Sequence, residues 1–399
     1  MSESYRLATF IVQTLQQAGF FSLFAGGWVR DYLLGIPSQD IDIATTAHPD
    51  QVITFFPHAI TVGAQFGVVR VRLKGHEFEI ASFRSDDQYL DGRRPSQVHF
   101  STPEQDAQRR DFTINGIFYD PLTATIHDYV GGENDLKARR LKTIGNPKKR
   151  FEEDRLRILR AIRFKHSLQF TIEEHTWKAI CDASHTIFPS VSPERVWQEL
   201  QKMHKKAILA PALYDMEKSG LLYHLFPMLT TIPKSKTYDR IRLLRSYTGA
   251  SLSAAIALLL HDLLKNTDIA EHYHLSRKER YLFDTARQLF EFLNKKRHTE
   301  EAYVILYTLP AIDQCLESFS LLKPSPQRFL AYHRHRQKKL RFWIEQLRHK
   351  KFLITGKDAA QFHIAPGKKT GQFIKHAFRL SLQHKITNKD QLFLLLQNE

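Results

Sequence analysis

The sequence has few cysteines and no long apolar run. Two cysteines in 399 residues, Cys181 and Cys315, are too few for a disulfide framework or a four-thiolate zinc site. The longest apolar run, Ala254 to Leu260, is far shorter than the roughly 20 residues that span a bilayer. Met1 to Gln13 lacks the basic start and apolar stretch of a secretion signal. These absences predict a soluble protein of a reducing, cytoplasmic compartment, with no role in a membrane.

Acidic residues are also in the minority. The chain has 42 Asp and Glu against 58 Lys and Arg, a formal net charge of +16. Its hydrophobic content of 42% is that of an ordinary globular protein and excludes global disorder. Such a basic excess favours a polyanionic partner, with nucleic acid the first candidate and solvated surface charge the alternative.

Glycine becomes scarce after the first third of the chain. Twelve of the 17 glycines precede residue 151, and tight turns between strands and helices use glycine more than helical bundles do. An α/β segment followed by a mostly helical remainder is therefore expected, divided as 1–140, 141–220 and 221–399. The predicted strands are Phe21 to Ala25, Ile41 to Ala44, Gly67 to Leu73, Glu77 to Phe83, Thr125 to Tyr129 and Leu141 to Ile144. Predicted helices include Tyr5 to Ala18, Arg155 to His166, Pro193 to Met203, Ala207 to Lys218, Ser253 to Leu264 and Arg334 to Lys351.

A glycine pair and a pair of aspartates form the sharpest local pattern. Gly26 and Gly27 open a predicted helix, and Asp40 and Asp42 follow on a predicted strand. Carboxylates two residues apart on a strand share a face and repel, and Mg²⁺ relieves that repulsion. Backbone N–H groups at the helix start suit a triphosphate, and Arg30 adds a cation. The pattern predicts two-metal attack of a 3′-hydroxyl on an α-phosphate; taken alone, Asp-x-Asp also fits solvated carboxylates at a strand edge.

A third carboxylate is expected beside the two aspartates. Glu79 lies on a predicted strand whose alternation can turn it toward Asp40 and Asp42, and Asp111 is the rival. Asp111 belongs to the segment 108–116, where Arg110 could reach a phosphate or a ribose. In that segment Asp111 and Asn115 share a helix face if it is helical, and a capped, ion-paired surface helix is the alternative.

A second charged cluster, residues 153–164, combines an acid with evenly spaced arginines. Asp154, Arg157 and Arg160 follow one another at intervals of three, with Arg163 further round. A carboxylate that accepts from an amino group and a guanidinium that donates to a ring nitrogen would admit cytosine and adenine. The same pair would reject uracil and guanine, because their donors and acceptors are reversed. Arg160 and Arg163 could then meet phosphates or the adenine ring; an ion-paired amphipathic helix is the alternative.

Taken in order, these motifs resemble the class II tRNA nucleotidyltransferase and bacterial poly(A) polymerase family. The resemblance covers about residues 20 to 200. It rests on five motifs: Gly-Gly-x-Val-Arg-Asp, Asp-x-Asp, Arg-Arg-Asp-Phe-Thr-Ile-Asn, Asp128 to Gly132 with Asp135 and Leu136, and Glu-Asp-x-x-Arg-x-x-Arg-Ala-x-Arg-Phe. The segment 188–196 is similar to the start of the family's RNA-binding helices. Arg155 is a departure, since relatives often have proline there, and we expect it on the solvent side of its helix.

The resemblance implies a DNA polymerase β-like head followed by a helical neck, body and tail that hold tRNA. It implies addition of C, C and A to the tRNA 3′ end from CTP and ATP, without a template and with Mg²⁺. By position, the implied metal ligands are Asp40 and Asp42, and the implied nucleotide contacts are Gly26, Gly27, Arg30, Arg110, Asp154, Arg157, Arg160 and Arg163.

Two segments bear on the branch of the family. Asp87 to Pro95 resembles the flexible loop of enzymes that switch to adenosine, and Val62 to Val69 resembles the tRNA-specific branch. A-only addition and poly(A) synthesis remain alternatives, as does an RNA-binding protein without activity. His261-Asp262 is similar to part of an HD phosphohydrolase motif, but we expect it mainly to belong to a buried helix.

Overall fold

The computed structural model describes residues 2–61, 67–86, 98–266 and 268–398. The chain divides into two compact units, residues 1–227 and 228–399. A mixed sheet with helices occupies the start of the first unit, and the rest of the described chain is almost wholly helical. The predicted α+β class is confirmed, whereas the division at 140 and 220 stays a prediction.

The first unit is built on a seven-stranded sheet. Its order is β3-β4-β5-β2-β1-β8-β9. β1 pairs antiparallel with β2 and β8, and β2 pairs parallel with β5. The strands of this sheet are β1 Ser22–Ala25, β2 Asp42–Thr45, β3 Ile60–Thr61, β4 Val68–Leu73, β5 His76–Ser82, β8 Ile117–Asp120 and β9 Thr125–Asp128. Two further pairs of strands form small sheets of their own: β6 Arg84–Asp86 with β7 Val98–Phe100, and β10 Arg140–Leu141 with β11 Thr171–Ile172.

Twelve described α-helices belong to the first unit. They are α1 Glu3–Gln17, α2 Gly26–Leu33, α3 Pro49–Phe55, α4 Pro103–Arg109, α5 Gly132–Lys137, α6 Pro147–Glu153, α7 Leu156–Leu168, α8 Glu174–Ala183, α9 Ile187–Ser190, α10 Pro193–Lys205, α11 Leu209–Lys218 and α12 Leu221–Leu225. Short 3₁₀ turns, Thr113–Asn115 and Ser184–Thr186, join some of them.

The second unit consists of helices with an apolar interior. Its helices are α13 Lys234–Leu244, α14 Leu252–Leu259, α15 Ile269–His272, α16 Arg277–Leu293, α17 Glu300–Thr308, α18 Ile312–Ser320, α19 Pro326–His349, α20 Gly356–Gln361, α21 Lys368–Gln383 and α22 Lys389–Gln397. Every residue of α14 is buried. Among the described residues, no helix combines the length and the apolarity needed to cross a membrane.

Both faces of the sheet are covered, and this fixes where functional groups can emerge. On one face Phe24 contacts Tyr5 and Trp28, with ring centroids 5.7 and 5.1 Å away. The other face carries a core of small and aromatic side chains that includes Leu23, Ala25, Ala44, Phe83 and Phe118. Because side chains alternate along a strand, Asp42 shares the face of Ala44 and lies at the end of that core.

Several predicted boundaries shift in the structure. The strand predicted to start at Ile41 begins at Asp42, and the segment 108–116 is the end of α4 followed by a 3₁₀ turn rather than one helix. Asp87 to Pro95 and residues 62–66 of the second branch-related segment lie outside the described residues.

Candidate active site

The helix start at Gly26 lies in close contact with two charged side chains. α2 begins at Gly26, one residue before the start expected near Gly27, and Gly26 has φ +70°. A Cβ atom built there would lie 3.3 Å from Asp42 Oδ2 and 3.6 Å from Arg110 Nη1. Glycine therefore serves two needs, a left-handed backbone and close approach to a carboxylate and a guanidinium. Gly26 and Gly27, which start α2, are both half-buried.

Asp40 lies outside the strand that was expected to carry both aspartates. β2 begins at Asp42, which pairs with Ala25, so alternation along a strand does not orient Asp40. Two bonds from other helices hold the preceding loop instead. Ser4 Oγ donates to the Gln39 carbonyl at 2.9 Å, and Trp28 Nε1 donates to the Ser38 carbonyl at 3.2 Å.

Asp42 carries a carboxylate whose charge is poorly compensated by the protein. Burial raises the pKa of Asp42 to about 7, Asp40 and Glu79 add to the rise, and Arg110 opposes it. Ile43 pairs with Ile80 across the parallel β2–β5 ladder. Asp42 directly precedes Ile43, and Glu79 directly precedes Ile80. That register sets Glu79 beside Asp42 on the same face of the sheet. The geometry thus favours Glu79 over Asp111 as the third acidic group.

The donor set of this cluster fits a hard divalent cation that shares its ligands with a substrate. Among the described residues, no three His, Cys, Asp or Glu side chains lie close enough together to enclose a metal by themselves. Mg²⁺ in nucleotide enzymes is held by one or two carboxylates together with phosphate oxygens and water. Asp40 and Asp42 meet that requirement, since burial first and then the charge of Asp40 raise the pKa of Asp42.

Asp111 has a structural role, and its pKa lies well below the usual value. Arg160 donates to Asp111 Oδ2 through Nε at 2.8 Å and Nη2 at 2.6 Å, and Asn115 Nδ2 donates to Oδ1 at 3.0 Å. Burial alone would raise the pKa of Asp111, but Arg160 and Asn115 outweigh burial and lower it to about 2. Asn115 also accepts from Arg30 Nη1 at 2.7 Å. Asp111 therefore ties α2 to α7 instead of facing Asp42.

We expect Asp111→Asn to destabilise the protein at neutral pH and not in strong acid. A carboxyl whose pKa falls on folding contributes stability above its unfolded pKa of about 4, and that contribution is lost as the pH falls toward 2. Its size is about 2–3 kcal/mol at pH 7. Thermal unfolding midpoints at pH 7 and pH 2.5 should show a gap between wild type and variant that is clearly smaller at pH 2.5 than at pH 7. Asp182→Asn, on an exposed residue, is the control; a gap independent of pH would contradict the assignment.

Phe164 lies at the centre of three arginines of the proposed site. The guanidinium carbons of Arg163, Arg30 and Arg160 lie 4.2, 5.2 and 5.4 Å from the Phe164 ring centroid. Phe112 packs edge-on against the same ring at 5.8 Å. Cations over an aromatic face are stabilised by the ring quadrupole, more so where water is excluded, and Phe164 is buried.

A carboxylate anchors each of these arginines. The ion pairs are Arg30 with Asp31, Arg160 with Asp111 and Arg163 with Glu199, each at 2.6 Å. Within the described chain, the terminal nitrogens of Arg163 donate no hydrogen bond, because only its Nε binds Glu199. The guanidiniums are thus fixed in place while Arg163 keeps donors for an anion.

Arg110 is positioned by a buried aspartate. Its Nε donates to Asp106 Oδ2 at 2.9 Å, and its Nη1 donates to the Asn115 carbonyl at 3.2 Å. The guanidinium also lies 4.8 Å from the Phe118 ring centroid. Arg110 is therefore held next to Gly26 and Asp42, where a phosphate bound at the start of α2 would lie.

Asp154 and Arg157, which the spacing placed along one stripe, lie on different elements of the structure. Asp154 has an extended backbone and ends α6, and α7 starts at Leu156. Asp154 Oδ2 accepts from Arg195 Nη2 at 2.9 Å. Arg157 Nη1 donates to Glu153 Oε2 at 2.6 Å and its Nη2 to the Arg109 carbonyl at 3.2 Å. To bind a base, Asp154 and Arg157 would have to form hydrogen bonds in addition to these or in place of them.

Sequence reasoning missed Arg195 as a member of this site. Its Nη1 is buried and without a hydrogen-bond partner in the described chain, while its Nη2 binds Asp154. The pairing joins positions 41 residues apart, so no local pattern could reveal it. A buried donor left unpaired is costly, and a bound ligand would satisfy it.

His261-Asp262, the partial phosphohydrolase motif, is occupied by other contacts. Arg240 Nη2 donates to both Asp262 carboxylate oxygens, at 2.7 and 2.9 Å. His261 Nδ1 lies 2.9 Å from the Leu258 carbonyl oxygen. The pair follows the end of the buried helix α14, and Asp262 is exposed, so the expectation that the pair belongs to a buried helix is wrong.

The fold and the acidic cluster define a nucleotidyltransferase head, and comparison with known proteins agrees. Residues 22–142 match the family model described as the poly A polymerase head domain. Residues 169–232 match the model described as the probable RNA and SrmB-binding site of polymerase A.

Relatives and solved structures extend this agreement. A CCA-adding enzyme from Geobacillus sp. (strain WCH70) is 42% identical over 230 residues, 57% of this chain and 56% of that protein. A CCA-adding enzyme from Anoxybacillus flavithermus is 36% identical over 281 residues, 68% of this chain and 69% of that protein. The crystal structure of the Bacillus stearothermophilus CCA-adding enzyme in complex with CTP matches at a TM-score of 0.75 and 28% identity. It covers 100% of this chain and 98% of the other.

The chain belongs to the tRNA nucleotidyltransferase and poly(A) polymerase family. In sequence, it spans little more than half the length of the Geobacillus relative.

Proposed function

We propose that the protein adds C, C and A to the 3′ end of tRNA, using CTP and ATP, without a nucleic-acid template and with release of pyrophosphate. The relatives named above are CCA-adding enzymes, and one solved relative holds CTP. With a net charge of +16, the chain suits a polyanionic substrate. Its reaction on tRNA places it in the cytoplasm.

One observation carries the proposal: a half-buried and poorly compensated carboxylate, Asp42, adjoins the start of the helix α2. The pKa of Asp42 is raised to about 7 by burial and by Asp40 and Glu79, so Asp42 favours a bound cation. Gly26, half-buried at the start of α2, lets the backbone of the helix start approach this carboxylate closely. A helix N-terminus favours phosphate and the aspartates favour the metal that phosphate carries.

Each residue of the site has its own proposed role. Asp40 and Asp42 would hold Mg²⁺, which when bound lowers the pKa of the attacking 3′-hydroxyl and offsets charge on the leaving pyrophosphate. Gly26 and Gly27 present backbone N–H groups to the triphosphate. Arg110 adds positive charge on the same side, and Glu79 adds negative charge that strengthens cation binding.

The base is read, in this proposal, between Asp154 and Arg157. The Asp154 carboxylate accepts from the amino group of cytosine or adenine, and Arg157 donates to the ring nitrogen. Within the described chain, Nε of Arg157 donates no hydrogen bond and Nη2 donates one, to the Arg109 carbonyl, so both nitrogens keep an N–H group for a base. Arg30, Arg160 and Arg163 complete the pocket around Phe164.

The test is an extension assay on tRNA transcripts that lack the last one, two or three nucleotides. With Mg²⁺, CTP and ATP, we expect every transcript to be completed to CCA and no further. With ATP alone, only the transcript ending in CC should be extended. Chelation of the metal should stop all extension.

The product lengths decide among the alternatives. Extension of the CC-ended transcript only would indicate an A-adding enzyme, and long adenosine tails would indicate a poly(A) polymerase. Binding of tRNA without extension of any transcript would indicate a non-catalytic RNA-binding protein and would contradict the proposal.

A further inference from the structure

A cavity in the helical part of the first unit is lined by three cationic side chains, two carboxylates and two histidines. It encloses about 480 Å³ between α6, α8 and the 3₁₀ turn that follows α8. Pro147, Ala179 and Ala183 contribute apolar surface. The basic side chains in its lining are Lys148, Arg155, His175, Lys178 and His185, and the acidic ones are Glu152 and Asp182.

Arg155 is fixed in the wall of this cavity and retains a donor. Its Nε donates to Thr186 Oγ1 at 2.6 Å, and its Nη1 donates to the Glu152 carbonyl at 3.0 Å. Within the described chain its Nη2 donates no hydrogen bond. Arg155 is half-buried, whereas the sequence predicted it on the solvent side of its helix. A guanidinium held on one edge with its other edge open is suited to a phosphate oxygen.

Two lysines of the cavity lack acidic partners. Lys148 and Lys178 form no ion pair within the described chain, although Glu152 and Asp182 line the same cavity. Two exposed lysines without ion-pair partners in the described chain, beside the apolar surface of Pro147, Ala179 and Ala183, attract an anion with an apolar part. A nucleotide has both parts.

We infer that this cavity is a second phosphate-binding site, which takes a nucleotide of the RNA substrate apart from the nucleotidyl-transfer site. His175, Lys178 and His185 belong to the segment that matches the RNA-binding family model, which favours RNA over a free nucleotide. The inference rests on the proposed function for the identity of the RNA.

Arg155→Pro is a variant that removes the guanidinium with little disturbance of the backbone. Arg155 has φ −65°, the value that proline fixes, and it directly precedes the first residue of α7. Asp154 before it is extended, with φ −149° and ψ 105°, as a residue before proline prefers. The Arg155 N–H donates no hydrogen bond within the described chain. Lys178→Ala, on an exposed helical residue, is a second and independent variant.

The experiment measures binding of a fluorescent tRNA transcript without CTP or ATP, by anisotropy, over a range of salt concentrations. We expect Arg155→Pro and Lys178→Ala each to weaken binding by roughly three- to tenfold and to lower the salt slope by about one. Lys137→Ala, on an exposed residue outside the cavity, is the matched control and should change neither quantity.

Three outcomes distinguish the inference from the function on which it rests. If wild type and both cavity variants bind tRNA alike, with equal salt slopes, the inference is wrong while the function stands. If the variants lose CTP affinity and keep tRNA affinity, the cavity takes a free nucleotide and the RNA assignment is wrong. If the variants weaken tRNA binding but wild type extends no transcript, the cavity is supported and the proposed function fails.

Discussion

An Asp42→Asn variant is expected to lose nucleotide addition by about a thousandfold or more, and to keep its tRNA affinity within about twofold. Asparagine keeps the size of the side chain and removes the charge that would bind the metal. The loss follows because a metal ligand acts on the reacting phosphate and not on the body of the tRNA. Single-turnover extension rates and tRNA anisotropy measure the two quantities on the same protein.

The same substitution should raise the stability of the metal-free protein. The Asp42 carboxylate, whose pKa burial, Asp40 and Glu79 raise to about 7, opposes folding wherever it is charged. Removing that charge should raise the thermal unfolding midpoint at pH 8, and Mg²⁺ with CTP should stabilise wild type more than the variant. A variant that is less stable, or fully active, would contradict the metal assignment.

The third acidic group can be tested with two glutamates on one strand. Glu79→Gln should slow addition, because Glu79 lies beside Asp42 in the strand register. Glu77→Gln is the matched control, two residues away on the same face of β5, where Glu77 pairs with Arg72 at the surface. Equal rates for the two variants would remove Glu79 from the site.

An Arg157→Ala variant is expected to lose discrimination between CTP and UTP by roughly ten- to a hundredfold. The guanidinium supplies the donor that uracil cannot accept at its ring N–H, so its removal admits the wrong base. Stability should fall as well, because Arg157 binds Glu153 and the carbonyls of Arg150 and Arg109. Incorporation of each nucleotide by the purified variant gives the discrimination ratio.

Glu153→Gln separates these two effects. It weakens the ion pair that holds Arg157 and leaves both proposed base-reading groups in place. We expect a lower unfolding midpoint and a discrimination ratio near that of wild type. If Arg157→Ala still excludes UTP and GTP, Arg157 supports the fold only and the base is read elsewhere.

Features set by local sequence were predicted well. The early glycines indicated an α/β start and a helical remainder, and the structure has that order. The start of α2 at Gly26 follows from the glycine pair, since a left-handed residue at a strand-to-helix turn needs glycine. The register of β5 puts Glu79 on the same face as Asp42, and its part in the site stays a prediction.

Features set by contacts between distant segments could not be predicted in this way. Asp40 is positioned by Ser4 and Trp28, which hold the carbonyls of residues 39 and 38. The sequence offered Asp111 as the rival third carboxylate, because its ion-pair partner Arg160 lies 49 residues away and no local pattern reveals it. Arg195 and the cavity beside Arg155 arise from helices packing together, and no spacing within one helix encodes them.

The central claim is that Asp40 and Asp42 hold a divalent metal against the triphosphate at the start of α2. The most direct measurement is anomalous diffraction from crystals of the protein with Mn²⁺ and a non-hydrolysable CTP analogue. We predict an anomalous peak in contact with both carboxylates and with phosphate oxygens next to Gly26. Metal and triphosphate bound elsewhere, with the two carboxylates unliganded, would contradict it.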